Sequence, residues 1–400
     1  MPKSASGLTR RDLMMLAGAG ATSLALPFPR PAFAQAQPIK VGLLLPYSGT
    51  YAQLGEAITR AMELYLKQNG GKLAGREVVF VKLDDEASPP KAPELTTKLI
   101  EGEKVDILTG PVHSGVAMAM TKIAREVGIP TIDTNAGANI ITRQQCAKNI
   151  FRSSFSNGQV GLATGKAMLD AGIKTAVSFT WKYAAGEEMV EGFRDTFTKG
   201  GGKVLKDITV PFPNVEFQAA LAEIASLKPE AVYSFFAGGG AAKFIKDYAS
   251  ANLQSSIPLW GPGFLTDGVE QAVGNAGNGV KTVLHYADDL DNPENKAFRA
   301  AFNEAYKLYP DVYAVQGWDA MQLLEIGLKG VGGDVAKRDE LCAAMSKASF
   351  KSPRGPFRLS SSHNPIQNFY LRELKDGSNA LVKTVATEFP DLTTGCKLSV

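Results

Sequence analysis

Histidine and cysteine are scarce in this 400-residue chain, at three of each. His113, His285 and His363 have no ligating partner at helical or strand spacing, and no Cys/His pair has zinc-site spacing, so no metal site is expected. The HExxH, GxSxG and GxxxxGK(S/T) motifs are absent. "AGGGAAKF", from Ala237 to Phe244, has a glycine-loop look, but Lys243 stands where the third small residue of a dinucleotide loop belongs. Asp84, Asp85 and Glu86 form a short acidic run that reads more readily as a solvated loop than as a cation site. Catalysis needs a nucleophile with a base, a carboxylate pair or a metal. With none in view, neither enzymatic activity nor a cofactor is expected.

Long apolar runs and a charge imbalance are also missing once the N-terminus is set aside. Residues 9–36, "TRRDLMMLAGAGATSLALPFPRPAFAQA", hold the pair Arg10-Arg11, a short apolar stretch and "AFA" before Gln35. That pattern reads as a twin-arginine export signal, residues 1–34, cleaved after Ala34, with a membrane anchor as the alternative. Residues 1–34 carry four basic residues and one acidic residue, so 39 of each sign remain beyond them. A neutral chain lacks the basic face that a nucleic-acid partner needs. The expected protein is exported to the periplasm and soluble. Its length favours two domains. Export allows a disulfide. Cys342, in "RDELCAAMSKASF", fits a buried helix face, which leaves Cys146 and Cys396 as the candidate pair; three free thiols are the alternative.

What is present is alternation. "IKVGLLL", "REVVFVKLDD", "VDILTG" and "PTIDT" are apolar β-rich runs separated by amphipathic helical runs. Nearly continuous apolar strands suit a parallel sheet covered on both faces, and the βαβα order predicts an α/β fold. The pattern restarts at "GQVGLATGKAMLDAG" and continues to "VKTVLHY", which suggests a second sheet, each of four to five strands. Three helices follow, and then a hairpin turning at Asp376-Gly377.

In open α/β sheets ligands bind beyond the carboxyl ends of the strands. Those ends here include "PYSGTYAQLG", "GPVHSG", "DTNAGAN", "SFTWKYAAGEE", "FFAGGGAA" and "WGPGFLTDG". They are rich in Gly, Ser and aromatic residues and poor in titratable groups. Helix N-termini favour an anion, and aromatic walls favour a planar apolar body. A small anion with a hydrophobic body fits such a cleft. Plain core packing is the competing reading for Trp181 and Tyr183.

"IKVGLLLPYSGTYAQLGEAITRAMELYLKQNGG", "VKLDDEASPPKAPELTTKLIEGEKVDILTGPVHSGVAMAMTKIAREVGIPTI" and "NIFRSSFSNGQVG" resemble the branched-chain amino-acid type of periplasmic solute-binding protein, over essentially the whole chain beyond the signal. The resemblance implies a type I periplasmic binding protein fold: α/β, two Rossmann-like lobes with parallel central sheets and three hinge crossovers, near Phe151, His285 and Phe357. It implies lobes at 38–152 plus 286–357 and at 153–285 plus 358–396. It further implies a monomer that delivers a small carboxylate to the permease and ATPase subunits of an ATP-driven importer.

Ser114 falls on the serine that binds the ligand carboxylate in leucine-type relatives, with Val112 and His113 beside it. His113 is read either as a ligand donor or as a helix cap. Asn135 falls on a backbone contact, and Gly137 replaces the threonine that grips the amino acid. Gly263 falls on the acid that pairs the ligand ammonium, Ala185 on a tyrosine, and Ala237 on a second-lobe tyrosine. A buried ammonium needs a paired charge. Loss of that acid implies a carboxylate without an α-amino group, as in the relatives that bind benzoate or hydroxycinnamate-type acids. The residues expected at the cleft are Tyr51, Leu54, His113, Ser114, Asn135, Ala136, Gly137, Trp181, Tyr183, Ala237, Gly238, Phe264, Tyr286 and Tyr313. A branched-chain amino acid or amide ligand, a receptor-coupled sensor and a hydrolase on the same fold are the alternatives.

Overall fold

The computed structural model describes residues 37–398. The export signal read at residues 1–34 lies outside the described residues.

The first sheet holds β1 (Ile39–Leu45), β2 (Lys72–Leu73), β3 (Arg76–Asp84), β4 (Ile107–Thr109), β5 (Thr131–Asp133) and β6 (Ile150–Arg152), in the order β2-β3-β1-β4-β5-β6. β1 lies between β3 and β4, parallel to both, which is why "IKVGLLL" is apolar almost throughout. Only the β2–β3 pair is antiparallel. The intervening helices are α1 (Ala52–Gln68), α2 (Ala92–Thr97) and α3 (Ser114–Val127).

After β6 the chain enters α4 (Asn157–Asp170) and builds the second sheet from β7 (Thr175–Lys182), β8 (Lys203–Pro211), β9 (Ala231–Phe235), β10 (Leu259–Pro262) and β11 (Lys281–Leu284). Between these strands run α5 (Ala184–Lys199), α6 (Gln218–Leu227), α7 (Gly238–Ser250) and the short α8 (Glu270–Val273). Beyond β11 come α9 (Pro293–Tyr306), α10 (Val312–Gly330) and α11 (Arg338–Met345), with α10 packed on α1 beside the first sheet. β12 (Ser349–Ser352), β13 (Gly355–Leu359), β14 (Pro365–Lys375) and β15 (Ser378–Phe389) close the chain.

The sheets are larger than the four to five strands expected, at six and nine. The excess comes from short edge strands and from β12 to β15, which join the second sheet in antiparallel pairs. Phe357, expected at a crossover, lies on β13, hydrogen-bonded through β14 to that sheet. The hairpin turns at Asp376 and Gly377, both with positive φ, as Asp-Gly predicts. Cys146 and Cys396 form a disulfide across 250 positions, and Cys342 is free and buried. No helix among the described residues is long and apolar enough to cross a membrane.

Polar side chains fasten the segments between the sheets. The Arg354 guanidinium is buried, pairs with Asp319 at 2.8 Å and donates to the Ser154 carbonyl and to Gln367. Arg152, also buried, donates to the carbonyls of Ala136, Ala138 and Phe155. These bonds tie the strap after β6 to the loop after β5, and so set where both face the space between the lobes.

Candidate functional site

That space is a narrow slot of about 20 Å3. Its lining includes Tyr51, Leu54, Ser114, Asn135, Gly137, Tyr183, Ala237, Phe264 and Tyr313. Val112, Phe155, Asn157, Ala185, Met189 and Phe235 complete it. No Asp, Glu, Lys, Arg or His is among them.

Six helices begin at this slot. Tyr51, Tyr183 and Ala237 immediately precede α1, α5 and α7; Ser114 and Asn157 open α3 and α4; Tyr313 is the second residue of α10. First-turn amides lack intrahelical partners and carry partial positive charge. Side chains already meet several of these amides, His113 on α3, Ser156 on α4, Thr50 on α7 and Asp311 on α10, but the uncharged lining gives a buried ammonium no partner.

Its walls are aromatic. Phe155 and Phe264 lie 4.6 Å apart between centroids, and Tyr313 sits 6.0 Å from Phe264. Tyr183 and Phe235 form another side, 6.2 Å apart. The Tyr51 and Tyr183 hydroxyls bond at 2.8 Å, joining α1 of the first lobe to the loop after β7 of the second. Gly240 N–H donates to Thr50 Oγ1 at 3.1 Å across the same gap. Burial raises the tyrosine pKa values at positions 51, 183 and 313, so these hydroxyls stay neutral. The Tyr313 hydroxyl is buried and has no protein partner.

At the foot of the slot Ser114 is buried, and its Oγ accepts from Asn157 Nδ2 at 3.4 Å. Asn135 donates to Gln316 Oε1 at 2.6 Å, and Gln316 in turn bonds His285 at 3.1 Å, which fixes the Asn135 amide. Gly137 is a glycine for space: a Cβ there would lie 2.2 Å from Asn157 Oδ1 and 2.4 Å from Phe155 Cε2.

Five of the residues expected at the cleft lie off the lining. His113 is the N-cap of α3: its Nδ1 accepts from Gly115 N–H at 3.0 Å, its ring stacks on Tyr183 at 4.5 Å, and burial lowers its pKa to about 4. It is a neutral cap and a backing for the wall. Trp181 is fully buried behind Tyr51, with Nε1 donating to the Asn214 carbonyl and the ring edge-on to Phe212 and Phe236. Core packing is therefore the reading that holds for Trp181. Tyr286 turns away to Asn295 and Arg299. Ala136 has its amide on Pro111 and its carbonyl on Arg152. Gly238 adopts φ of +56°, and a Cβ there would meet the Thr50 carbonyl at 2.2 Å, so it serves lobe contact.

Gly263 also differs from its expected place. A Cβ there would run into Arg372 Nη2 at 2.3 Å and Leu284, on the core side and away from the slot. The lining nevertheless lacks any acid. Phe155, Asn157, Met189 and Phe235 were not expected. "SSFSN" does carry one signal, the Ser156 cap whose Oγ accepts from Gln159 N–H.

A larger groove of about 680 Å3 lies elsewhere, lined by Gln53, Arg60, Glu270, Asp288, Arg299 and Asp311 among others. It carries charges of both signs, unlike the slot. Asp311 caps α10, and burial with repulsion from Asp267 and Asp288 raises its pKa to about 7. Protonated Asp311 therefore stabilises the fold at low pH, and this contribution is lost as pH rises through 7. Asp311→Asn keeps the capping oxygen without the charge. It should melt about 2 °C or more above the unsubstituted protein at pH 8, and the gain should shrink as pH falls from 7 and vanish only below about pH 4.

A profile of the family described as "Periplasmic binding protein" matches residues 38–379. The chain belongs to the periplasmic binding proteins. Within this family it is 31% identical over 353 residues to Leu/Ile/Val-binding protein homolog 6 of Brucella abortus, covering 85% of this chain and 88% of that one. A solute-binding protein of an ABC transporter from R. palustris, solved in complex with benzoate, is 69% identical, with a TM-score of 0.89 over 90% of this chain and 100% of that one. Another, from Rhodopseudomonas palustris BisB5 in complex with 3,4-dihydroxybenzoic acid, is 32% identical, with a TM-score of 0.84 over 88% and 98%. This periplasmic binding protein is thus a solute-binding component of an ABC importer, of the Leu/Ile/Val type, with the two-lobed type I fold. Its family places it in the periplasm.

Proposed function

We propose that this binding protein captures a small aromatic carboxylate of the benzoate or hydroxybenzoate class. The observation that carries this reading is an uncharged aromatic slot at which six helix N-termini meet. The Ser114 hydroxyl holds the carboxylate, worth about 1.5–3 kcal/mol for a hydrogen bond to a charged group. Phe155, Phe264, Tyr183 and Phe235 enclose the ring, and Asn135 and Tyr313 meet a ring substituent. The benzoate and dihydroxybenzoate bound by the two solved relatives support the class.

The lobes proposed are 38–152 with 286–357 and 153–285 with 358–396; they close on the ligand by hinge bending. The twin-arginine route is proposed for export, and the monomer is the form proposed to meet the permease.

Thermal melting with benzoate, 4-hydroxybenzoate, leucine and phenylalaninamide tests this reading. An aromatic acid at about 100 times its Kd should add about 2.7 kcal/mol to stability, and leucine should add nothing at the same concentration. Leucine raising the melting point more than any benzoate would overturn it. Tyr51→Phe removes the hydroxyl bridge between lobes and should cost about 0.5–1.5 kcal/mol of the closed form. In titration calorimetry that is about a two- to tenfold loss of benzoate affinity.

A further inference from the structure

Glu188 lies inside the first two turns of α5, behind the slot and off its lining. Its Oε2 accepts Asn157 Nδ2 at 2.8 Å and Asn139 N–H at 2.8 Å. Burial raises the Glu188 pKa, and the bonds from Asn139 and Asn157, with Arg152 and Arg143 nearby, oppose that rise. Asn157 is fully buried, and its Nδ2 also lies 3.4 Å from Ser114 Oγ.

The chemistry of this chain is one-directional. A carboxylate only accepts, so it holds the nitrogen of the Asn157 amide toward itself. That same nitrogen then donates to Ser114 Oγ. A serine hydroxyl has one hydrogen, and with Oγ already accepting, that hydrogen is free for the slot. The reverse amide orientation would set Asn157 Oδ1 against the Glu188 carboxylate. Ser114 would then donate to Asn157 and turn lone pairs toward the ligand, which repels a carboxylate.

We infer that Glu188 is a positioning residue for carboxylate recognition: through Asn157 it makes Ser114 a donor to the bound acid. This rests on the aromatic-carboxylate reading of the slot. Glu188 also holds the Asn139 amide, so a purely structural part in lobe closure has to be separated from the relay.

Titration calorimetry with benzoate and its neutral isostere benzamide separates them, on the unsubstituted protein, Glu188→Ala, Asn157→Ala and the double variant. The unsubstituted protein should prefer benzoate by about tenfold or more. Glu188→Ala, which removes the acceptor that orients Asn157, should lose about tenfold in benzoate affinity and little in benzamide affinity, so the preference collapses; Glu188→Gln keeps an acceptor oxygen and should keep most of the preference. Asn157→Ala alone should give the same collapse, and Glu188→Ala should change the preference no further in that background. A preference unchanged by Glu188→Ala, or one lowered equally with and without Asn157, overturns the relay while leaving the ligand class intact. A native protein that binds benzamide as tightly as benzoate overturns the carboxylate reading itself, and the relay with it.

Discussion

Gly137→Thr is expected to weaken benzoate binding by about a hundredfold, the equivalent of about 3 kcal/mol of overpacking. The expectation follows from two short distances: a Cβ at position 137 would sit 2.2 Å from Asn157 Oδ1 and 2.4 Å from Phe155 Cε2. Neither neighbour yields freely. Asn157 is bonded to Glu188, and Phe155 is packed on Phe264 with its carbonyl held by Arg152. Threonine therefore has to push the amide off its partners, or drive the Phe155 ring into the slot. Either movement strikes the lining, where the ligand is proposed to lie. Calorimetry with benzoate gives the affinity, and circular dichroism should show an unchanged fold. An affinity within threefold of the unsubstituted protein would mean that the loop gives way outward and that Gly137 does not shape the slot.

Ser114→Ala should cost benzoate about 1.5–3 kcal/mol, about ten- to a hundredfold in Kd, and leave the melting temperature of the unliganded protein within about 1 °C. The two halves of this result come from a division of labour at the start of α3. His113 supplies the cap, with its Nδ1 on Gly115 N–H, so removing the Ser114 hydroxyl does not uncap the helix. Alanine is also a better helix former than serine. What is lost is the single hydroxyl at the foot of the slot, the proposed donor to the carboxylate. A drop in melting temperature with unchanged benzoate affinity would give Ser114 a structural role and take it out of the site.

Much of the architecture is legible in the letters because it is local. "IKVGLLL" is apolar at nearly every position, and β1 runs from Ile39 to Leu45. "HSGVAMAMTKIAREVG" places α3 at Ser114–Val127, stopped by Gly128 in the left-handed region. Cys342 on a helix face leaves Cys146 and Cys396, and those two are bonded. The slot is less legible because it is built by encounters between distant segments. Periodicity places Trp181 near a strand end; whether it faces a ligand or Phe212 and Phe236 depends on the partners that the fold brings to it. Tyr286 follows β11, yet Asn295 and Arg299 of α9 draw its hydroxyl away. Asn157 and Phe155 follow β6 in a strap whose path is set by buried Arg152, bonded to the nearby Phe155 carbonyl, and by buried Arg354, bonded to the Ser154 carbonyl 200 positions away. Glu188 reads as one more charged residue on an amphipathic helix, and only the approach of Asn139 and Asn157 gives it a task.

The central claim is that the slot welcomes an acid and has nothing to hold an ammonium. Calorimetric titration with phenylacetate and with phenylglycine tests it most directly, since the two share ring, carbon count and carboxylate and differ by the α-ammonium alone. Phenylacetate should bind at least about a hundredfold more tightly, the cost of an unpaired buried charge. Phenylglycine binding as tightly as phenylacetate, or more so, would contradict that claim.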